Sequence, residues 1–88
     1  MDIKMNVKKR LKIQSWRRGM KEMDLILGSY IDKNVDRLSP NEIADYELLL
    51  LQDDQVLFSW FSNEKAVPLE LSSIFVKISN FIKFSKSK

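Results

Sequence analysis

The 88-residue chain contains no cysteine and no histidine. The first absence excludes disulfides, zinc–thiolate centres and thiol nucleophiles. The second removes the commonest metal ligand and the commonest general base. Catalysis would have to be assembled from Ser, Asp, Glu, Lys, Arg and Tyr alone, so the residue inventory points away from an enzyme. Glycine and proline occur only twice each, too rarely to punctuate a sheet with many turns, and helices are expected instead. No run of about 18 apolar residues is present, so no segment is expected to span a membrane. No secretory-type apolar stretch follows the N-terminal charges. The length suits one domain, which would bury roughly 60–65 % of its unfolded surface.

Charge is unevenly spread. Residues 1–21 carry eight Lys/Arg against Asp2, residues 22–64 carry ten acids against Lys33 and Arg37, and residues 65–88 carry five Lys against Glu70, for a net +3. Basic ends can favour nucleic acid, an anionic membrane or an acidic protein surface. The acidic middle argues against a non-specific nucleic-acid binder. The first 20 residues share the basic, acid-poor character of a transit peptide. They lead without a break into the most distinctive motif, and removing them would strip the core, so they are assigned to the folded domain.

The apolar spacing predicts an all-α, five-helix bundle of short antiparallel neighbours. A first helix runs from about Asn6 to Arg17, with Leu11, Ile13 and Trp16 as its apolar positions, and Gly19 is placed to end it in a left-handed conformation. A second, from about Met20 to Asn34, aligns Met20, Met23, Ile26, Leu27, Tyr30 and Ile31 in one stripe. Glu22 and Asp24 suit its N-terminal dipole, and Gly28 allows close packing or a bend. Ser39-Pro40-Asn41-Glu42 reads as a capping box with proline at the first helical position, and Leu38 and Ile43 suit a hydrophobic staple. That third helix continues through Tyr46, Leu49 and Leu50. Asp53-Asp54 can cap a fourth helix carrying Leu57, Trp60 and Phe61, a reading preferred over a metal site because no other ligands accompany the pair. Pro68 opens a fifth helix through Ile82, and a frayed tail is expected from about residue 84. Trp60 and Phe61 are assigned to the core, and Lys8-Lys9-Arg10 to a solvated face.

The most informative string is Arg17-Arg18-Gly19-Met20-Lys21-Glu22-Met23-Asp24. It resembles the R-G-x-x-E signature of the SdhE family of flavinylation factors, known in mitochondria as succinate dehydrogenase assembly factor 2. The context strengthens the resemblance: Trp16 before the arginines, an apolar-striped helix after them, then Leu38-Ser39, a leucine-rich helix, Asp53-Asp54 and Leu57-Phe58-Ser59-Trp60. The similarity runs from about Lys8 to Ile82. Gly28-Ser29, where bulkier residues are expected, and the lysine-rich tail depart from the pattern.

The resemblance implies a non-enzymatic assembly factor of the bacterial cytoplasm, monomeric when free. It would promote covalent FAD attachment to the flavoprotein subunit of succinate dehydrogenase, with fumarate reductase as a related second partner. FAD would be handled by that partner, whose own histidine accepts the flavin. This chain is expected to hold no stable cofactor, metal, nucleic acid or membrane. The implied partner-binding residues are Arg17, Arg18, Gly19, Met20, Glu22 and Asp24. In that reading Gly19 admits a partner backbone, Arg18 offers bidentate hydrogen bonds to a partner carboxylate, and Glu22 orients the guanidinium or pairs with a partner base. Tyr30 could lie beside the motif with its hydroxyl exposed. Alternatives are a plain helix junction with solvated charges, a regulatory module such as an antitoxin, and a nucleic-acid binder using residues 4–21 with Trp16 for stacking.

Overall fold

A computed structural model describes the backbone of residues 3–86 and the side chains of residues 6–83. Five helices follow one another: α1 (Ile3–Trp16), α2 (Lys21–Asn34), α3 (Pro40–Leu50), α4 (Asp54–Ser62) and α5 (Leu69–Lys86). Single 3-10 turns at Val35–Arg37 and Glu64–Ala66 link α2 to α3 and α4 to α5, and no strand occurs among the described residues. The all-α, five-helix expectation is therefore met. Helix α5 continues to Lys86; of the tail expected to fray, Ser87 and Lys88 lie outside the described residues.

Helix α3 starts for the local reason its sequence advertises. Ser39 Oγ accepts from the Glu42 backbone N–H at 3.2 Å, and Glu42 Oε1 accepts from the Ser39 N–H at 2.9 Å. Two otherwise orphaned donors are thereby satisfied reciprocally. Leu38 and Ile43, on either side of the box, are half-buried against the core.

Helix α2 lies at the centre, touching α1, α4 and α5. Met23, Leu27, Tyr30 and Ile31 are buried along one stripe. Tyr30 is wholly interior, stacked on Tyr46 at 6.0 Å and met edge-on by Phe81 at 5.6 Å, so its ring does not border the motif as a half-exposed group. Trp60 is buried and Phe61 half-buried, both against Phe75, as expected of core residues.

Helix α1 differs from its sequence reading. Leu11 and Ser15 face the core, whereas Ile13 is 48 % exposed. At 3.6 residues per turn, positions 11 and 13 stand about 200° apart and cannot share one buried face. Ser15 contributes a polar tie instead. Its Oγ lies 2.6 Å from the Tyr46 hydroxyl, which donates to the Leu27 carbonyl at 3.3 Å, joining α1, α3 and α2 inside the core.

Gly28 proves to be a packing position. The Trp16 ring lies over it so closely that an added Cβ would fall 2.3 Å from ring carbons. The indole N–H donates to Asp32 at 3.1 Å. One face of Trp16 is thus committed to α2, which argues against its use as a stacking platform for nucleic-acid bases.

Part of the segregated charge is paired inside the molecule. The described ion pairs are Lys8–Asp36, Arg10–Glu47, Arg18–Asp54, Lys77–Glu42 and Lys83–Glu64. Every one joins a basic end to the acidic middle. The Lys8-Lys9-Arg10 run is therefore partly paired rather than merely solvated, although exposed pairs of this kind contribute under about 1 kcal/mol each.

Two outcomes are expected. Gly28→Ala should destabilise the fold although alanine favours helix interiors by about 1 kcal/mol, because the methyl must displace Trp16. In a Trp16→Ala background the sign should reverse, which urea denaturation of the four variants would show. Burial holds the Tyr46 and Tyr30 phenols above their ordinary value. They stay neutral in the fold while the unfolded chain ionises near pH 10. The folded state then binds more protons, so stability should fall as pH rises past about 10. A denaturant midpoint series across that range should show the decline, less steep in Tyr46→Phe.

Candidate partner-docking site

The residues between α1 and α2, Arg17-Arg18-Gly19-Met20, form a short non-helical linker with a bend at Gly19-Met20 rather than an end closed by a left-handed glycine. No described glycine has a positive φ, and Met20 is extended at φ −109°, ψ 125°. The left-handed role expected of Gly19 is therefore wrong. Side chains elsewhere, not glycine's backbone freedom, impose the linker's course.

The chief of these is Asp54, in the first turn of α4. Its Oδ1 accepts from Arg18 Nε at 2.5 Å, and its Oδ2 accepts from the Met20 N–H at 3.0 Å. The Arg18 guanidinium donates further to the Leu50 carbonyl at 2.6 Å and the Gln52 carbonyl at 2.5 Å. Asp24 reaches back from α2, and its Oδ1 accepts from the Arg18 N–H at 2.5 Å. The electrostatics are consistent: the guanidinium sits at the C-terminal carbonyls of α3, which carry partial negative charge, and the Asp54 carboxylate sits at the positive N-terminus of α4. The Arg18 and Asp54 side chains are only 12 % and 13 % exposed.

This arrangement divides the motif. Arg18 is not an open receptor for a partner carboxylate, because its side chain is nearly buried and each guanidinium nitrogen already has a partner within the chain. Glu22 does not orient it; Asp54, 36 positions away, does. Asp24 holds the linker, and Met20 is half-buried against the core. Arg17, Gly19 and Glu22 remain on the surface, and Arg17 and Glu22 have no ion-pair partner among the described residues. A Cβ at Gly19 would meet only Asp54 Oδ2, at an ordinary 3.5 Å. The fold therefore imposes neither a steric nor a conformational need for glycine there.

Asp54 is the site residue that the sequence reading missed. The Asp53-Asp54 pair was legible only as a cap. Asp53 occupies the N-cap of α4 without a side-chain cap hydrogen bond, while Asp54 makes the long-range tie. No cluster of three or more carboxylates suited to a metal occurs among the described residues.

Comparison with known proteins places this geometry in context. The family profile described as the flavinator of succinate dehydrogenase matches residues 9–82. The chain belongs to that family. It is 39 % identical over 72 residues to succinate dehydrogenase assembly factor 2, mitochondrial, of Dictyostelium discoideum, covering 82 % of this chain and 51 % of that protein. It is 36 % identical over 64 residues to FAD assembly factor SdhE of Legionella pneumophila (strain Lens), covering 73 % of this chain and 81 % of that one. The chain thus spans about half the length of the Dictyostelium relative and four-fifths of the Legionella one. No solved structure matches. No described helix is long and apolar enough to cross a membrane.

The inward and outward halves of the family motif should separate experimentally. Arg18→Ala leaves Asp54 and two carbonyls without their partner and should cost about 3–5 kcal/mol, a large share of the roughly 5–15 kcal/mol of a typical domain. Glu22→Ala should change stability by less than about 0.5 kcal/mol. Equal melting temperatures for the two variants would refute this division.

Proposed function

We propose that this chain is a non-catalytic assembly factor that promotes covalent attachment of FAD to the flavoprotein subunit of succinate dehydrogenase, acting in the bacterial cytoplasm. Membership of the flavinator family over residues 9–82 carries the reading and favours it over a regulatory antitoxin. The site geometry supports it: a nearly buried guanidinium fixes the linker from within, while bare Gly19 and charged Arg17 and Glu22 are exposed.

With no histidine or cysteine, the chain can be neither a histidyl nor a cysteinyl flavin acceptor. Its contribution is to hold the partner so that isoalloxazine and acceptor meet in reactive geometry. Orientation of that kind can supply several kcal/mol, of the roughly 7–11 kcal/mol that full pre-alignment provides, without a chemical group from the helper. Gly19 lets a partner backbone approach the linker closely, and FAD stays with the flavoprotein throughout.

Purified chain should show no visible flavin absorbance. Added to apo-flavoprotein and FAD, it should raise the rate of covalent attachment, read as flavin fluorescence retained by the denatured flavoprotein in a gel. Gly19→Arg and Glu22→Ala should fold normally and lose much of that acceleration. An equal rate with and without the wild-type chain would reject the proposal.

A further inference from the structure

Beside the linker, α1 and α3 leave an open groove of about 930 Å³ between them. Ile13, Leu48 and Leu51 line it while 48 %, 47 % and 79 % exposed. Leu51 is particularly informative. It sits in the α3–α4 turn between Leu50 and Gln52, whose carbonyls Arg18 holds. The joint that fixes the motif linker thus also displays an apolar side chain into the groove next to it. Isolated exposed leucines are ordinary; here three exposed apolar side chains line one concavity beside the motif linker.

The charges at the groove discriminate among occupants. Arg10, Arg17 and Arg18 line it, with Glu47 as the acid. Arg10 is paired with Glu47 and Arg18 with Asp54, which leaves the Arg17 guanidinium exposed and without an ion-pair partner among the described residues. The groove therefore offers an apolar floor and, at Arg17, one positive charge without an ion-pair partner among the described residues, at the start of the linker that carries the exposed Gly19.

We infer that this groove seats an amphipathic segment of the flavoprotein partner, one that places Leu- or Ile-sized side chains against Ile13, Leu48 and Leu51 and a carboxylate on Arg17. The inference rests on the flavoprotein reading above and extends the docking surface from the linker onto α1 and α3. Arg17 gives direction and salt sensitivity to the encounter, whereas the apolar side chains supply most of the affinity. Arg18 takes part only by holding the turn that carries Leu51.

The test is titration of apo-flavoprotein with wild-type chain, a Leu48→Gln/Leu51→Gln variant, Ile13→Gln and Arg17→Gln, each checked for an unchanged melting temperature. The double variant should weaken binding about tenfold or more, the loss expected when apolar anchors are truncated. Ile13→Gln, on the opposite wall, should weaken it independently should the double variant prove unstable. Arg17→Gln should lower affinity less and flatten its salt dependence. Wild-type affinity in folded Leu48→Gln/Leu51→Gln and Ile13→Gln would overturn the groove assignment while leaving the assembly-factor reading intact. Failure of the wild-type chain to bind the flavoprotein would instead remove both. Sedimentation velocity supplies a third arm: a wild-type dimer that the same substitutions dissociate would assign the groove to a second copy and overturn the inference.

Discussion

The joint between Arg18 and Asp54 is the interaction on which the candidate site depends. It holds the α1–α2 linker against the α3–α4 turn, two segments far apart in sequence, through one nearly buried guanidinium. Four intrachain hydrogen bonds converge on Arg18, three through its side chain and one through its backbone N–H. Asp54 adds a bond to the Met20 backbone. Removing one member of such a pair leaves charge and carbonyls unsatisfied in a poorly hydrated place, which makes the joint far more consequential than the exposed pairs elsewhere.

The joint also fixes the backbone of a short linker before any partner is met. A flexible linker would lose conformational entropy on binding, and that cost would be subtracted from affinity. Here the ordering is already supplied by folding. Arg17, Gly19 and Glu22 are presented from a fixed backbone, with Leu51 displayed by the same turn. The consistent pairing of basic ends with the acidic middle works in the same direction. It ties Lys8, Arg10 and Arg18 of the basic first segment to the acidic middle.

Much of the fold was legible from local signals. Sparse Gly and Pro, the stripe of α2 and the capping box of α3 each describe neighbours within a turn or two. Their agreement gave five helices near their observed bounds. The errors arose where facing direction or long-range partnership mattered. Ile13 is apolar in α1 but points away from the Leu11–Ser15 line. Gly19 resembles a left-handed helix stop, yet its φ is not positive, and Asp24 and Asp54 hold the linker. Asp54 looked like half of a cap, because nothing local distinguishes a carboxylate that meets a guanidinium 36 residues earlier.

The sequence by itself determined the helical class, the start of α3, the absence of histidyl and thiol chemistry, and the motif that marks the family. Those properties reside in residue identity and short-range spacing, which are physical facts of the unfolded chain as much as of the folded one. Only the tertiary structure decided which motif residues are available. Arg17 and Arg18 are chemically identical neighbours, but one faces solvent and the other is enclosed by carbonyls and a carboxylate from α3 and α4. That distinction comes from burial and long-range hydrogen bonding, which exist only once the helices have packed.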